Sequence, residues 1–421
     1  MADVTVSTIT HFLKGQFKKG AVQEEVVEAS ASPLYQLINK NTNFGGEYKK
    51  IPLIYGLLPS GSATFSVALA NKGGIKGVAF KLLASDLKHD YSVFGIDGMT
   101  LRVAKTNEQA FFEQLDKLVR AGYRTQARRR AWQLYRSTTG AIGQVHATGA
   151  VNATTMTFMH RGTARLVDKD AELVFSAADG GALDTAGASL VVNNMNRMAN
   201  PATAIMSAVV NTVTATSHYI YFKGDWNQCL HGILDWIPVT DPAPSSSYYG
   251  VDRSVDRQKL AGIAMDCSTL DPLSALIEAC SLAIECGAEK LAAFEPPETF
   301  RKIKELIRGS TTYTATPVSR PAILADGNKS QMVSVRGFAI DGDKGPIEVY
   351  SDVWCPPTFG FVLDLDRFTL ESAGEDPGVL SEDGLKMLRE ASADGYEGRV
   401  GGYIEMTCDG PGNCVTLYNH T

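Results

Sequence analysis

Two pairs of carboxylates are the first residues of this chain whose spacing could do chemistry. Asp341 and Asp343 flank a single glycine, and Asp364 and Asp366 lie two apart on a stretch that reads as a strand, so both face one way. Paired acids can share a hard divalent cation or divide the roles of general acid and general base. The activity they would serve is that of a metal-dependent hydrolase. Around Asp341 the later ligands and closing glutamate of a calcium loop are not at the required spacing, and a polar turn is the plainer reading. Asp364 and Asp366 have no neighbouring histidine in sequence, which favours surface or salt-bridge roles. The glycine-rich run Asn71–Gly77 lacks the Gly-Lys-Ser/Thr ending of a phosphate loop, and no nucleophile elbow, His-Glu-x-x-His pair or dinucleotide-binding turn occurs. The seven cysteines show no Cys-x-x-Cys spacing and read as reduced thiols, not zinc ligands, although Cys408 and Cys414 flank a Gly/Pro turn and could meet. No catalytic residue, metal or cofactor is expected, and the work of the chain falls to its surfaces.

Charged residues mark those surfaces. Periodicity predicts a long helix over 107–139, opened by Thr106-x-x-Gln109 in the form of a capping box and closed by Gly140. Phe111, Phe112, Leu115, Leu118, Val119 and Gly122 share one face, and the later apolar positions rotate away from it. Such a helix packs against different neighbours along its length, as a beam does. Arg120, Arg124 and Arg128 form a basic line, with Arg129 and Arg130 beside it. One reading is a solvated face that complements the helix dipole. The sharper one is a contact for an acidic surface or nucleic acid. Between Phe361 and Thr421 twelve acids face four Lys or Arg, so association of copies could bring the two signs together.

The elements that position these residues follow in order. Residues 1–50 read as an extended arm with no core of its own. Ile51–Leu58 and Val78–Val93 read as the two sides of a ribbon, with Thr64–Ala70 between them and a Gly/Lys tip carrying Lys72 and Lys76; Lys81 stands on the return. A two-stranded ribbon is marginal alone and needs a partner. After the helix, Met156–His160, Glu172–Ser176, Ser189–Asn193 and His218–Lys223 are candidate strands. Asp271-Pro272 caps a helix that buries Leu273, Leu276, Ile277, Cys280 and Ile284, and Pro296-Pro297 starts another with Phe300, Ile303, Leu306 and Ile307 inward. The last stretch alternates strands and turns, with a helix near Leu385–Ala391. At 421 residues with 44% apolar and 20% charged content, the chain can bury a sizeable core in two or more lobes. A net charge of −6 excludes a bulk polyanion binder. No apolar run is long enough for a membrane span, and the start does not read as a signal peptide.

The order arm, extended loop, long helix, β-rich domain and mixed domain resembles the major capsid proteins of tailed bacteriophages with the Hong Kong 97-type fold, an α+β class. The local strings that carry the likeness are Gly250-Val-Asp-Arg-Ser254 with Leu260-Ala-Gly-Ile263, the helical pair at 273–285 and 297–307, and Asp383-Gly-Leu385, Asp394-Gly-Tyr-Glu397 and Cys408-Asp-Gly-Pro-Gly412 near the end. The resemblance implies an N-terminal arm over 1–50, an extended loop over 51–105, and a peripheral domain over 106–240 with spine helix 107–139 and an inserted β subdomain over 151–220. An axial domain over 241–340 and C-terminal strands over 341–421 follow. It further implies a structural, non-enzymatic protein that assembles with itself into hexamers and pentamers of an icosahedral head around double-stranded DNA. The loop would lie over a neighbouring subunit, with Lys72, Lys76, Lys81, Arg120, Arg124, Arg128, Arg129 and Arg130 as assembly contacts. A separate scaffolding protein, a portal protein and a cement protein are the implied partners, with packaged DNA held weakly and no membrane. The setting implied is the virion, after assembly in the cytoplasm of a bacterial host. A metal-dependent hydrolase and a phage tail or decoration protein are the competing readings.

Overall fold

The computed structural model describes residues 32–58, 60–99, 108–146, 154–184, 188–208, 218–309, 316–317, 337–342, 345–374, 376–380, 388–389 and 394–421. Ser32 caps the short helix α1 (Pro33–Leu37) and donates its hydroxyl to Asp352 at 2.7 Å. Leu34 and Ile38 are buried, and β1 (Asn39–Asn41) runs parallel to the strand at Phe368–Ser372. Residues 32–41, expected in an arm without a core, are therefore anchored on their own subunit, through the buried Leu34 and Ile38 and through the pairing of β1. The rest of the expected arm, residues 1–31, lies outside the described residues.

β2 (Tyr48–Gly56) and β3 (Lys76–Leu83) pair antiparallel from Tyr48↔Leu83 to Gly56↔Lys76. Between them the apolar run Thr64–Ala70 forms the short helix α2 (Phe65–Ala70). Among the described residues no strand pairs with this segment, and its backbone bonds locally, Ala68 N to Thr64 O at 3.0 Å. The return does not run straight to Val93. Asp86 accepts the Leu83 amide at 2.9 Å, a tight turn forms at Ala84–Asp86, and β4 (Lys88–Asp97) enters a different sheet.

The long helix α3 (Glu108–Gln133) ends six residues before its expected limit at 139. Thr106 and Asn107, and the side chains of 108–117, lie outside the described residues. Its early end follows from competition for the last helical groups. Ile233 N bonds Leu134 O at 2.8 Å, and the Thr138 hydroxyl donates to Cys229 O at 2.7 Å. Gly232 permits that approach, since a Cβ there would come within 2.1 Å of Arg136 O. Gly140, at φ +77°, turns the chain beyond the helix end at Gln133 and so does not close the helix as expected.

A six-stranded sheet follows, ordered β5 (Gly143–Gln144), β10 (Tyr219–Phe222), β7 (Glu172–Ser176), β8 (Leu190–Asn196), β9 (Thr203–Met206) and β6 (Thr155–Thr157). The short helix α4 (Arg161–Ala164) falls between β6 and β7 in sequence, and α5 (Ile233–Trp236) follows β10. The hairpin β11 (Ser247–Tyr248) and β12 (Val251–Asp252) and helix α6 (Arg257–Ala261) lead to a second unit. There β13 (Ile263–Asp266), β14 (Leu291–Glu295), β15 (Thr316–Pro317), β16 (Gly337–Gly342), β17 (Gly345–Ser351) and β18 (Gly360–Asp364) share a sheet. Helices α7 (Pro272–Glu285) and α8 (Pro297–Gly309) pack against it. Asp271 accepts from Leu273 and Ser274 amides at 3.1 and 3.0 Å, as its cap position required. Ala275, Leu276, Ala279, Cys280, Phe300 and Ile303 are buried. Leu306, expected inward, is 40% exposed because it sits at the margin of the face on which Ile303 and Ile307 meet the core.

The C-terminal strands divide between the two units. β19 (Phe368–Ser372), β20 (Gly378–Val379) and β21 (Leu388–Arg389) pair along one edge of β22 (Gly395–Cys408), and β4 pairs along the other. Leu388–Arg389 is thus a strand where a helix was expected, because Tyr396 and Glu397 offer it an open edge. α3 lies on this sheet, with Gly122 against Val400. The chain then returns to the second unit as β23 (Val415–Tyr418), between β13 and β18. All seven cysteines are free thiols, and Cys408 and Cys414 are buried without joining.

Candidate functional site

The ribbon has two halves of opposite character. At its root Ile51, Phe80 and Leu82 are buried. Phe80 meets Trp236 edge-on at 5.3 Å and Tyr248 at 6.4 Å between ring centres. Lys81 N donates to Tyr249 O at 2.9 Å, and toward the far end of β2 a further tie is made by Lys259 Nζ to Tyr55 O at 2.6 Å. Beneath these rings the buried Glu405 carboxylate accepts from the His231 amide at 2.8 Å and stands 3.1 Å from His231 Nδ1, which also meets Tyr249 OH at 2.8 Å. Burial works to lower the His231 pKa, and the Glu405 carboxylate outweighs it, so the imidazole is held above its ordinary value. Asp235, in the adjoining helix α5, is pushed up to about 6 by burial. The expectation that the ribbon finds support only on a neighbour is corrected for this half, which is clamped within its own subunit.

Its distal half is different. Ile54, Leu57, Leu58, Phe65, Leu69 and Ile75 are exposed, Leu57 at 86% and Phe65 at 79%. An apolar group of this size facing solvent marks an interaction surface. Lys72 and Lys76 border it and are themselves exposed. Lys81 sits nearer the root, its ammonium 4.5 Å from the Tyr48 ring centre. Sequence reading found the ribbon and its lysines but not the apolar tip. The run Leu57-Leu58 and the alternation Phe65, Val67, Leu69 carried that signal.

The basic line of α3 separates in space. Arg129 Nε meets both oxygens of Asp90 at 2.7 and 2.9 Å, and its Nη2 meets Asp225 at 2.8 Å. Arg130 is wholly buried between Asp90 at 2.7 Å and Asp376 at 2.8 Å. For both arginines burial works against the charge and the aspartates overcome it, which raises the pKa. These pairs tie α3, β4, the turn at Asp225 and the C-terminal segment together, and they border a polar cavity of ≈ 300 Å³. Both guanidinium groups are thus engaged inside the subunit. Arg128 instead lies near the surface on Asp168, Arg124 is half-buried one turn earlier, and Arg120 is exposed with an interaction of its own.

The aspartate pairs do not assemble. Asp364 is buried at the end of β18, where it accepts the Glu289 amide at 3.3 Å. Asp366 lies in the following turn, exposed, with Lys290 at 2.7 Å. The expectation that they share a strand face fails because the strand stops at Asp364. Asp341 pairs with Pro346 at the end of β16, and Asp343 lies outside the described residues. Among the described residues no group of three or more His, Cys, Asp or Glu side chains could hold a metal ion, and no helix is long and apolar enough to cross a membrane.

No protein-family model matches the sequence, and no curated protein does. Solved structures do match. The capsid asymmetric unit of cyanophage A-1(L) superposes with a TM-score of 0.53 at 11% identity, over 96% of this chain and 95% of that one. The encapsulin of the holo-SrpI complex from Synechococcus elongatus gives 0.44 at 10% identity, over 97% and 94%. Mycobacterium phage Patience gives 0.44 at 9%, over 99% and 90%. The α+β fold of this chain is that of a phage capsid protein.

Proposed function

We propose that this chain is the major capsid protein of a tailed-phage type of particle, a structural subunit that assembles with itself into a closed shell. The observation that carries this reading is the ribbon. A root locked by Phe80, Trp236 and Tyr249 carries an apolar tip that its own subunit leaves exposed, in a chain whose fold is that of a capsid protein. An apolar tip left exposed by its own subunit gains most by being covered on another copy. Head-to-tail contacts of that kind close into rings when the rotation fits, and rings of six and five build an icosahedral head. Many weak contacts acting together give a strong whole through effective concentration, while each stays reversible enough to correct errors. Lys72 and Lys76 stand at the edge of this contact in our reading. A separate scaffolding protein, a portal and a cement protein would complete the head, with double-stranded DNA inside, assembled in a bacterial host.

Electron microscopy of the purified chain, with its scaffold where one is needed, tests the reading. Wild type should give hollow particles of uniform diameter. Leu57→Ser/Phe65→Ser/Leu69→Ser should stay folded and monomeric. Particles formed equally well by that variant would defeat the role given to the tip, and a wild-type chain that stays monomeric with its scaffold would defeat the shell.

A further inference from the structure

The net charge of −6 hides an uneven distribution. Six cations gather where α3 meets α4 and the end of β8: Arg124 and Arg128 on the helix, Arg161, Arg165 and Lys169 on and after α4, and Arg197 just past β8. The same segment offers two acids, Asp168 and Asp170, a surplus of four positive charges by subtraction. Glu298 stands at the edge, close enough to act on His160. Asp168 is shared between Arg128 at 2.7 Å and Arg197 at 2.8 Å and is 61% exposed. Arg124, Arg165 and Lys169 have no acidic partner among the described residues.

The guanidinium groups are oriented mainly by neutral backbone. Arg197 donates to Val167 O at 2.7 Å and Ala164 O at 3.2 Å, Arg161 donates to Arg197 O at 3.1 Å, and Arg128 donates to Arg165 O. A carbonyl holds a guanidinium in place without cancelling its charge. This differs from the buried pair one residue further on, where every charge is answered.

We propose that this strip binds the phosphate backbone of duplex nucleic acid. Oriented planar forks with uncancelled charge suit phosphate oxygens. A protein partner of ordinary size would need an apolar centre for its interface. Here the middle is charged, and the apolar side chains beside it are scattered: Met198, 81% exposed, on one side, and Val353 next to the buried Trp354, whose ring lies 5.6 Å from the Arg128 guanidinium, on the other. The inference goes beyond the shell reading and does not rest on it, since phosphate binding is measurable on unassembled chain.

Fluorescence anisotropy of a labelled short DNA duplex with the unassembled full-length chain tests it. Neutralising four phosphates gives a log–log salt slope of about −3.6, or about a 150-fold loss of affinity from about 50 to 200 mM salt. Arg165→Gln/Arg197→Gln should bring this to about −1.8 and about 12-fold. Asp168→Asn removes a competing carboxylate and should tighten binding, which keeps the proposal open to test if the double variant fails to fold. Wild-type binding that matches the double variant, or that ignores Asp168→Asn, overturns it. So does a polyglutamate chain that outcompetes the duplex at the same arginines, which would make the strip a contact for acidic protein. Particles that form normally from a chain with no DNA affinity would sink this proposal and leave the shell reading standing.

Discussion

The root and the tip of the ribbon have similar residue types and opposite fates. Phe80 at the root is enclosed by Trp236 and Tyr248, whereas Phe65 at the tip faces solvent. The same division runs along α3, where Arg130 is closed between two aspartates and Arg128, two residues earlier, shares one exposed acid. Groups satisfied within the subunit hold it together, and groups left over define where it meets something else. Residue type alone does not say which group belongs to which set.

The largest effect should come from opening the enclosed side of this contrast. Arg130→Met leaves Asp90 and Asp376 buried with less compensation, and unfolding in urea should show a loss of about 4 kcal/mol. A loss below about 1 kcal/mol would mean that water reaches these carboxylates and that the arginine is no keystone. Phe80→Ala should cost about 3 kcal/mol through the lost ring and the cavity left against Trp236. It should also speed hydrogen exchange at the Lys81 amide, because the root holds that bond to Tyr249.

A smaller effect should follow from pH at the root. His231 is held above its ordinary value, so the stability it contributes is fully present below pH ~6.5 and is lost as pH rises through the folded value. Asp235, pushed up to about 6, has finished most of its titration by pH 7, while His420, raised to about 9, titrates above pH 7 in both proteins, so the difference between wild type and a His231 variant isolates this imidazole. Urea unfolding of wild type and His231→Gln should differ most near pH 6 and converge toward alkaline pH. A difference that stays constant with pH would assign His231 a packing role alone. The smallest effect on folding should belong to the tip. Phe65→Ser should change monomer stability by no more than about 0.5 kcal/mol while it weakens particle formation. If it destabilised the monomer as Phe80→Ala does, the tip would be part of the core and the contrast would disappear.

Much of this was legible in local pattern. The Asp271-Pro272 cap and the apolar positions Leu276 and Cys280 act over one or two helical turns and lie where spacing put them, whereas Leu273, Ile277 and Ile284, expected inward with them, are only partly buried and Gly140 falls beyond the helix end at Gln133. Strands at Glu172–Ser176 and Tyr219–Phe222 were marked by β-branched and aromatic runs between turn residues. The short helix at Phe65–Ala70 was not legible, because its apolar run suits a strand until the absence of a pairing edge decides against it. The strand at Leu388–Arg389 was missed for the converse reason, since the edge it uses belongs to residues that follow it in the chain.

Sequence by itself determined the order of parts, the long helix, the basic line along it and a ribbon with a Gly/Lys tip, because those depend on neighbours a few residues away. Only the tertiary structure decided which arginines are spent inside the subunit, that Asp364 and Asp366 part company, and that the ribbon is anchored at one end and bare at the other. The reason is physical. Arg130 meets Asp376 across 246 residues of chain, and no local spacing records whether a charge so far away will arrive to cancel it.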